Sequence, residues 1–295
     1  MKPFAVLAFA LGLYAWGSTH LPAEQLRAKI YQRATNEFAV AEFFKPAELK
    51  TNDLAFSLAP LILQEVNAGK EGLSGLDQFG TLSHSNGVWV LDRSHPAIYW
   101  QADNVQINGR AHTRLSYLWC CASAPGGQHA DPGALPLQGI RLTLGAAGQP
   151  VIWEVLADTS GAQLIYVSQA VEAAAVAEFG KPLPGRRYTI ERRTAEAPNV
   201  IVARIIDDGP VAMGPIVYVS DGARDVSTLM CRCMPAQAKR LLGTSVYDLL
   251  PFQAGAAQSL LTQAKSFSRE QTAFWPGDPP NGNQLVKRLR LPSGL

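Results

Sequence analysis

Cysteine is scarce in this chain, with four residues in 295, and they fall in two close pairs, Cys120-Cys121 and Cys231-Cys233. Neither pair has the CxxC spacing of a thioredoxin-like redox centre, and no CxxCH marks covalent haem attachment. The phosphate-cradling GxGxxG and GxxxxGK[ST] loops, HExxH and GxSxG are also missing. Those absences remove the common nucleotide-binding, zinc-protease and serine-hydrolase signatures. Charge of one sign is lacking too. With 26 Lys and Arg against 24 Asp and Glu, whole-protein electrostatics predicts no nucleic acid partner. Charged residues make up only 17% of the chain and hydrophobic ones 47%, which argues against disorder over most of its length and supplies a substantial core.

The one long apolar run stands at the start. Lys2 provides a positive charge, residues 4–14 (FAVLAFALGLY) an apolar stretch, and Ala15-Trp16-Gly17 a small-x-small cleavage signal. The run is shorter than the roughly 20 residues of a spanning helix. It is read as a signal peptide, residues 1–17, with an uncleaved anchor as the alternative. The expected location is periplasmic or extracellular, with no stable membrane span after processing. A single globular domain over 18–275 and a flexible tail over 276–295 complete the domain plan.

Periodicity then sketches the elements. A helical pattern opens at Pro22-Ala23-Glu24 and runs through Leu26, Ile30, Arg33, Glu37, Val40 and Phe44 until Pro46. The apolar run 54–66 contains Pro60 and fits either a strand or a short helix. From Val88 the pattern is β, and Asn108-Gly109 is a strong hairpin signal because both residues tolerate positive φ. That turn fixes a register: Trp100 faces Tyr117 and Asp103 faces Arg114. Strands are expected at IRLTL, VIWEVL, LIYVS, YTIE, VIVARIID, IVYVS and STLMCRCM. Helices are expected over 169–179, 235–242 and 254–267. The likeness of residues 165–168 (IYVS) to 217–220 (VYVS) hints at a duplicated strand-strand-helix unit. The fold class so implied is α+β: a central, largely antiparallel sheet with helices packed on one side and a helix at the N-terminus.

The same alternation sorts the cysteines. Cys121 shares a face with Tyr117 and Trp119, and Cys120 joins Leu118. Cys231 and Cys233 share a face with Leu229, opposite Met230 and Met234. In an oxidising compartment the simplest role is disulfide formation between the clusters. The alternative is a soft-metal site for Zn or Cu built from Cys120, Cys121, Cys231 and Cys233, with Met230 and Met234 in support. Other features are ordinary. Lys181, Arg186, Arg187, Arg192 and Arg193 describe the wet face of a strand better than an anion site. Asp207-Asp208-Gly209-Pro210 reads as a turn rather than an acid-base or calcium site. None of His20, His84, His95, His112 and His129 stands at metal-ligand spacing from another, and no catalytic residue is selected. Two readings of function remain: a non-catalytic binding or structural protein of the cell envelope, or a thiol-based metal-handling or redox protein.

Overall fold

The computed structural model describes residues 23–35, 37–48, 50, 53–66, 79–85, 88–121, 137–156, 158, 160–221, 225–232, 237–252 and 283–295. Among them are four short helices: α1 (Ala23–Arg33), α2 (Leu54–Ser57), α3 (Gln169–Phe179) and α4 (Asn283–Arg288). The strands are β1 (Phe38–Pro46), β2 (Leu61–Glu65), β3 (Phe79–Ser85), β4 (Val88–Asp92), β5 (Ala97–Ile107), β6 (Arg110–Cys121), β7 (Leu137–Leu144), β8 (Pro150–Leu156), β9 (Gln163–Ser168), β10 (Val200–Ile206), β11 (Ile216–Val219), β12 (Val226–Met230) and β13 (Ala238–Pro251).

The expected α+β fold is therefore corrected to a mostly β one. Eleven strands form a nearly closed, barrel-like mixed sheet in the order β10-β9-β8-β7-β6-β5-β13-β1-β2-β11-β12, with the β3–β4 hairpin attached at β6. The sheet is mixed because β13 runs parallel to both β1 and β5, β11 parallel to β2, and β10 parallel to β9. A closed sheet leaves few free edges and encloses its own core, so the helices are not needed as a covering layer.

Alternation along the strands supplies that core. Tyr117, Trp119, Ile140, Leu142, Trp153, Tyr166, Val217, Leu229 and Tyr247 point inward in one cluster. Burying side chains of this size stabilises by roughly 1.5–3 kcal/mol each. The outer faces of β5, β8 and β9 carry a second cluster, in which Val105, Ile152, Ile165 and Val167 meet Val171 and Ala175 of α3 and Leu285, Leu289 and Leu291 at the C-terminus. The end of the chain, expected as a flexible tail, is thus packed against the barrel wall.

The β5–β6 hairpin has the expected register. Asn108 and Gly109 have φ of 49° and 80°, Trp100 pairs with Tyr117, and Asp103 pairs with Arg114. Arg114 grips Asp103 through two hydrogen bonds of 2.7 and 2.6 Å. Helix α3 also sits where expected, capped by the Ser168 hydroxyl at its N-terminus and ended by Gly180 at φ 78°.

Several expected elements are different in the structure. The N-terminal helix stops at Arg33, and residues 38–46 form β1 between β13 and β2. Residues 238–242, expected as the end of a helix, begin β13. The 54–66 run combines both readings, a helical turn α2 followed by β2 after Pro60. YTIE is not a strand, since residues 188–190 are turns and Glu191 makes only an isolated bridge to Leu289. The suggested repeat is absent as well: Tyr166 points inward whereas Tyr218 points outward, and β9 leads into a helix whereas β11 leads into β12. The helix expected over 254–267 lies outside the described residues.

The two ends of the β10–β12 seam differ. At one end α1 packs over both strands, and its arginines act as clamps. Arg27 donates to Glu191 at 2.8 Å and to the Val200 carbonyl. Arg33 reaches Asp158 at 2.6 Å and Asp225 at 3.3 Å. Burial opposes the charge on Arg33, but these two carboxylates outweigh it and hold the guanidinium pKa above its ordinary value. At the other end α2 and the residues after it close the barrel, and a cleft remains beside them.

Candidate functional site: a cleft at the seam of the barrel

Ile206 at the end of β10, the 207–215 loop, Met230 to Arg232 at the end of β12, and Gln149, Pro150 and Trp153 of β8 and its preceding turn line the cleft. Its volume is about 50 Å³. That is room for roughly three to five waters, or for a small head group rather than a drug-sized ligand.

Two residues of this lining, Trp153 and Arg232, each carry an unmatched nitrogen donor that is itself buried. The indole Nε1 of Trp153, a side chain only 5% exposed, has no hydrogen-bond partner among the described residues. Arg232 donates through one terminal nitrogen to the Ala59 carbonyl, but its Nε has no partner and no carboxylate pairs with it among the described residues. Burial lowers the pKa of this guanidinium, against a weaker opposing influence from the Tyr247 and Tyr117 hydroxyls. A largely buried cation without a counter-ion is unusual, because burying charge is costly unless it is paired.

The walls are fixed by local sequence. Gly214 packs against the backbone of Leu58 and Ala59 so closely that any side chain would collide there. Gly209 is different, since a Cβ built on it would sit 3.5 Å from Cys231 Sγ and 3.6 Å from Met213 Cε, in ordinary contact and facing the cleft residues. Asp207 and Asp208 complete the lining. Asp208 accepts the Ala170 N–H at the start of α3, 2.9 Å away, while Asp207 is exposed.

The structure separates the cysteine clusters. Cys120 and Cys121 are buried and in no disulfide at the far end of β6, where Cys120 pairs with Leu137 at the start of β7. Cys231 lines the cleft at the opposite end of the strands, beside the turn that follows β7. Seven strand steps of about 3.3 Å put roughly 23 Å between those ends, which no disulfide or shared metal bridges. Cys231 is disulfide-bonded, and because neither Cys120 nor Cys121 is in a disulfide that bond does not join the clusters. Cys233 and Met234 lie outside the described residues. The inward and outward faces follow the alternation: Cys121 sits with Tyr117 and Trp119, Cys120 with Leu118, and Cys231 packs on the cluster containing Leu229. Met230 packs outward with Phe38 and Tyr218, away from Cys231. No group of three or more His, Cys, Asp or Glu suited to a metal occurs among the described residues. Burial, and secondarily Cys121, pushes the Cys120 thiol well above its ordinary range, so it is a poor ligand and nucleophile.

Other candidates resolve into structural roles. Asp92, Ser94 and His95 cluster on an exposed turn, but the same His95 Nδ1 faces both the Ser94 hydroxyl and Asp92 at 2.9 Å. A catalytic triad uses the two ring nitrogens for the two partners, so this is a turn and not a triad. His112 is buried, pairs with Val105 across the hairpin and places Nδ1 2.9 Å from the Leu144 carbonyl. The basic stretch is neither an anion site nor the wet face of a strand. Arg186 donates to the Arg192 carbonyl, Arg192 to those of Val286 and Leu289, and Glu191 is buried against Arg27. His20 and His129 lie outside the described residues.

Sequence reading placed Trp153 only within the expected strand VIWEVL, put Gly209 in a turn and gave Arg232 no part. The only local signal was a lone arginine inside an apolar run, and it becomes informative once the fold sets it beside Trp153. Comparison with protein-family models, curated proteins and solved structures finds no match to this chain.

Proposed function

We propose that this is a non-catalytic binding protein of the cell envelope, which holds a small ligand in the cleft at the barrel seam. The observation that carries this reading is a cleft whose lining includes Arg232, a largely buried cation with no carboxylate paired to it among the described residues. Burying a charge is costly unless it is paired, so a cleft with such a cation in its lining is suited to an added acceptor. Export rests on the N-terminal sequence alone, and sequencing the exported protein from its N-terminus should begin at or near Ser18. Recovery of Met1 or Lys2 on membrane-bound material would instead indicate an anchor. The soft-metal alternative is not carried forward, because the first cysteine pair stands at the opposite end of the strands from Cys231.

Binding is tested by screening a library of small metabolites for displacement of the Trp153 indole N–H resonance. Gly209→Leu serves as the blocked control, since its side chain grows from a Cβ already in contact with Met213 and Cys231. Compounds that move the resonance in the natural protein and not in Gly209→Leu support a ligand site. A library with no such compound would sink the reading.

A further inference from the structure

We propose that the open edge of β13 is a self-association surface, on which a second copy of this chain pairs as an antiparallel strand about a two-fold axis. β13 takes its two neighbours in succession: residues 238–247 pair with β1, and only residues 248–251 pair with β5. Among the described residues no strand pairs with residues 238–247 on the side away from β1. Two backbone contacts orient this edge. The Asp248 N–H donates to the Pro96 carbonyl at 2.9 Å on the β5 side, and the Tyr247 carbonyl accepts from the Ala47 N–H at 2.8 Å on the β1 side. Strand alternation therefore turns the N–H and C=O groups of Thr244 and Val246 toward the open side. The side chains there are apolar and exposed. Leu241, Leu242 and Val246 are 49%, 37% and 50% exposed, three of the seven large hydrophobic side chains so exposed among the described residues. An apolar edge with unpaired backbone groups is a template for another strand.

The sequence of this edge complements itself. Laid antiparallel about Thr244, position 240 of one copy stands opposite 248 of the other, so exposed Arg240 meets exposed Asp248. Position 242 stands opposite 246, so the exposed leucines meet Val246. Relative to β1, β13 carries one extra residue between Leu241 and Thr244. That bulge moves the alignment by one place at most and keeps Lys239 or Arg240 at Asp248. An in-register parallel pair would instead set Lys239 and Arg240 against their own copies, a like-charge contact. A membrane is a poor occupant, because the open N–H and C=O groups find no partner in hydrocarbon. The two-fold contact is isologous and closes at two copies. One short strand pair falls below the roughly 1,000 Å² of a stable interface, so the dimer is weak, with a Kd on the order of 100 μM.

Sedimentation equilibrium of the full mature chain tests this. The natural chain is expected to pass from monomer to dimer between about 10 μM and 1 mM, with no larger species. Arg240→Asp and Asp248→Arg should each raise the dimer Kd about tenfold, because each turns two symmetry-related attractions into like-charge contacts. Both side chains are exposed, so thermal unfolding of the two variants should match the natural chain. An equimolar mixture of the variants should dimerise as the natural chain does, since an acidic copy then faces a basic one at both ends of the strand pair. Neither damage to the fold nor a contact elsewhere on the surface produces that rescue. A chain that stays monomeric at about 1 mM, a dimer indifferent to both charge changes, a mixture no more associated than its components, or growth into open-ended oligomers would each overturn the proposal. Binding to vesicles of anionic phospholipid by a chain that stays monomeric would overturn it as well, in favour of a membrane surface.

Discussion

The Tyr117 hydroxyl donates to the Ala55 carbonyl across 2.8 Å, joining the middle of β6 to the α2 turn that closes one end of the barrel. Tyr247 of β13 does the same for Pro60 at 2.6 Å, and Arg232 beyond β12 for Ala59. Three well-separated parts of the wall thus hold consecutive stretches of one short plug. The cleft lies beside that plug, so the groups that close the barrel also set the position of Arg232.

Tyr117→Phe and Tyr247→Phe should each cost about 1–2 kcal/mol in urea denaturation, because each leaves a buried carbonyl without its donor. A loss below about 0.3 kcal/mol in both would show that the plug is held by packing alone. Base should unfold the protein for a related reason. Burial raises the pKa of Tyr117, Tyr166 and Tyr247 above the ordinary value of 10.0. Their contribution to stability is therefore complete below pH 10 and declines as pH rises beyond it, when the unfolded chain ionises first. Absorbance at the phenolate band should rise for these three only along with loss of the fold.

The two glycines of the 207–215 loop should respond in opposite ways. Gly214→Ala places a methyl group into the Leu58 and Ala59 carbonyls, and should cost several kcal/mol or prevent folding, since backbone must move to accept it. Gly209→Ala adds a methyl at ordinary contact distance, and should change stability by less than about 1 kcal/mol. Thermal unfolding of the two variants side by side distinguishes them, and equal losses would contradict the packing of this loop.

Gly109→Val should destabilise by about 1–2 kcal/mol through backbone strain alone. Nothing lies within 4 Å of an added Cβ there, yet φ of 80° is one that β-branched residues resist. Gly109→Asn should be nearly neutral by the same argument. Equal stability of the valine and asparagine variants, measured in urea, would contradict the turn.

What the sequence shows about this fold is local. Asn108-Gly109 fixes its own backbone, and from it follow the Trp100–Tyr117 pair and the faces of Cys120 and Cys121. Ser168 and Gly180 bracket α3 in the same local way. Closure of the sheet is different, because it depends on β13 lying parallel to β1 on one side and β5 on the other. Residues 238–242 (AKRLL) are good helix formers, and only pairing with β1, some 200 positions earlier, makes them extended. In β1 itself, Val40 and Phe44 fit a helical spacing as well as an alternating one, so the pattern carries two readings until a partner strand is present. The cleft is the extreme case: Trp153 and Arg232 are brought together only when the seam between β10 and β12 is nearly closed.

The strongest electrostatic test concerns the other end of that seam. Arg27 and Glu191 form a contact of 2.8 Å with both side chains only 3% exposed, and the second Glu191 oxygen accepts the N–H groups of Arg187 and Tyr188. Arg27→Met leaves a buried carboxylate without its counter-ion and should cost about 3–5 kcal/mol. Glu191→Gln keeps an acceptor for the two N–H groups but leaves Arg27 with a neutral partner, a smaller loss of about 1–3 kcal/mol. The double variant should be less destabilised than the sum of the two, by about 1–3 kcal/mol, because no unpaired charge is left behind. Additive losses would mean that α1 is held by Leu26 and Ile30 in the inner core rather than by the charge pair.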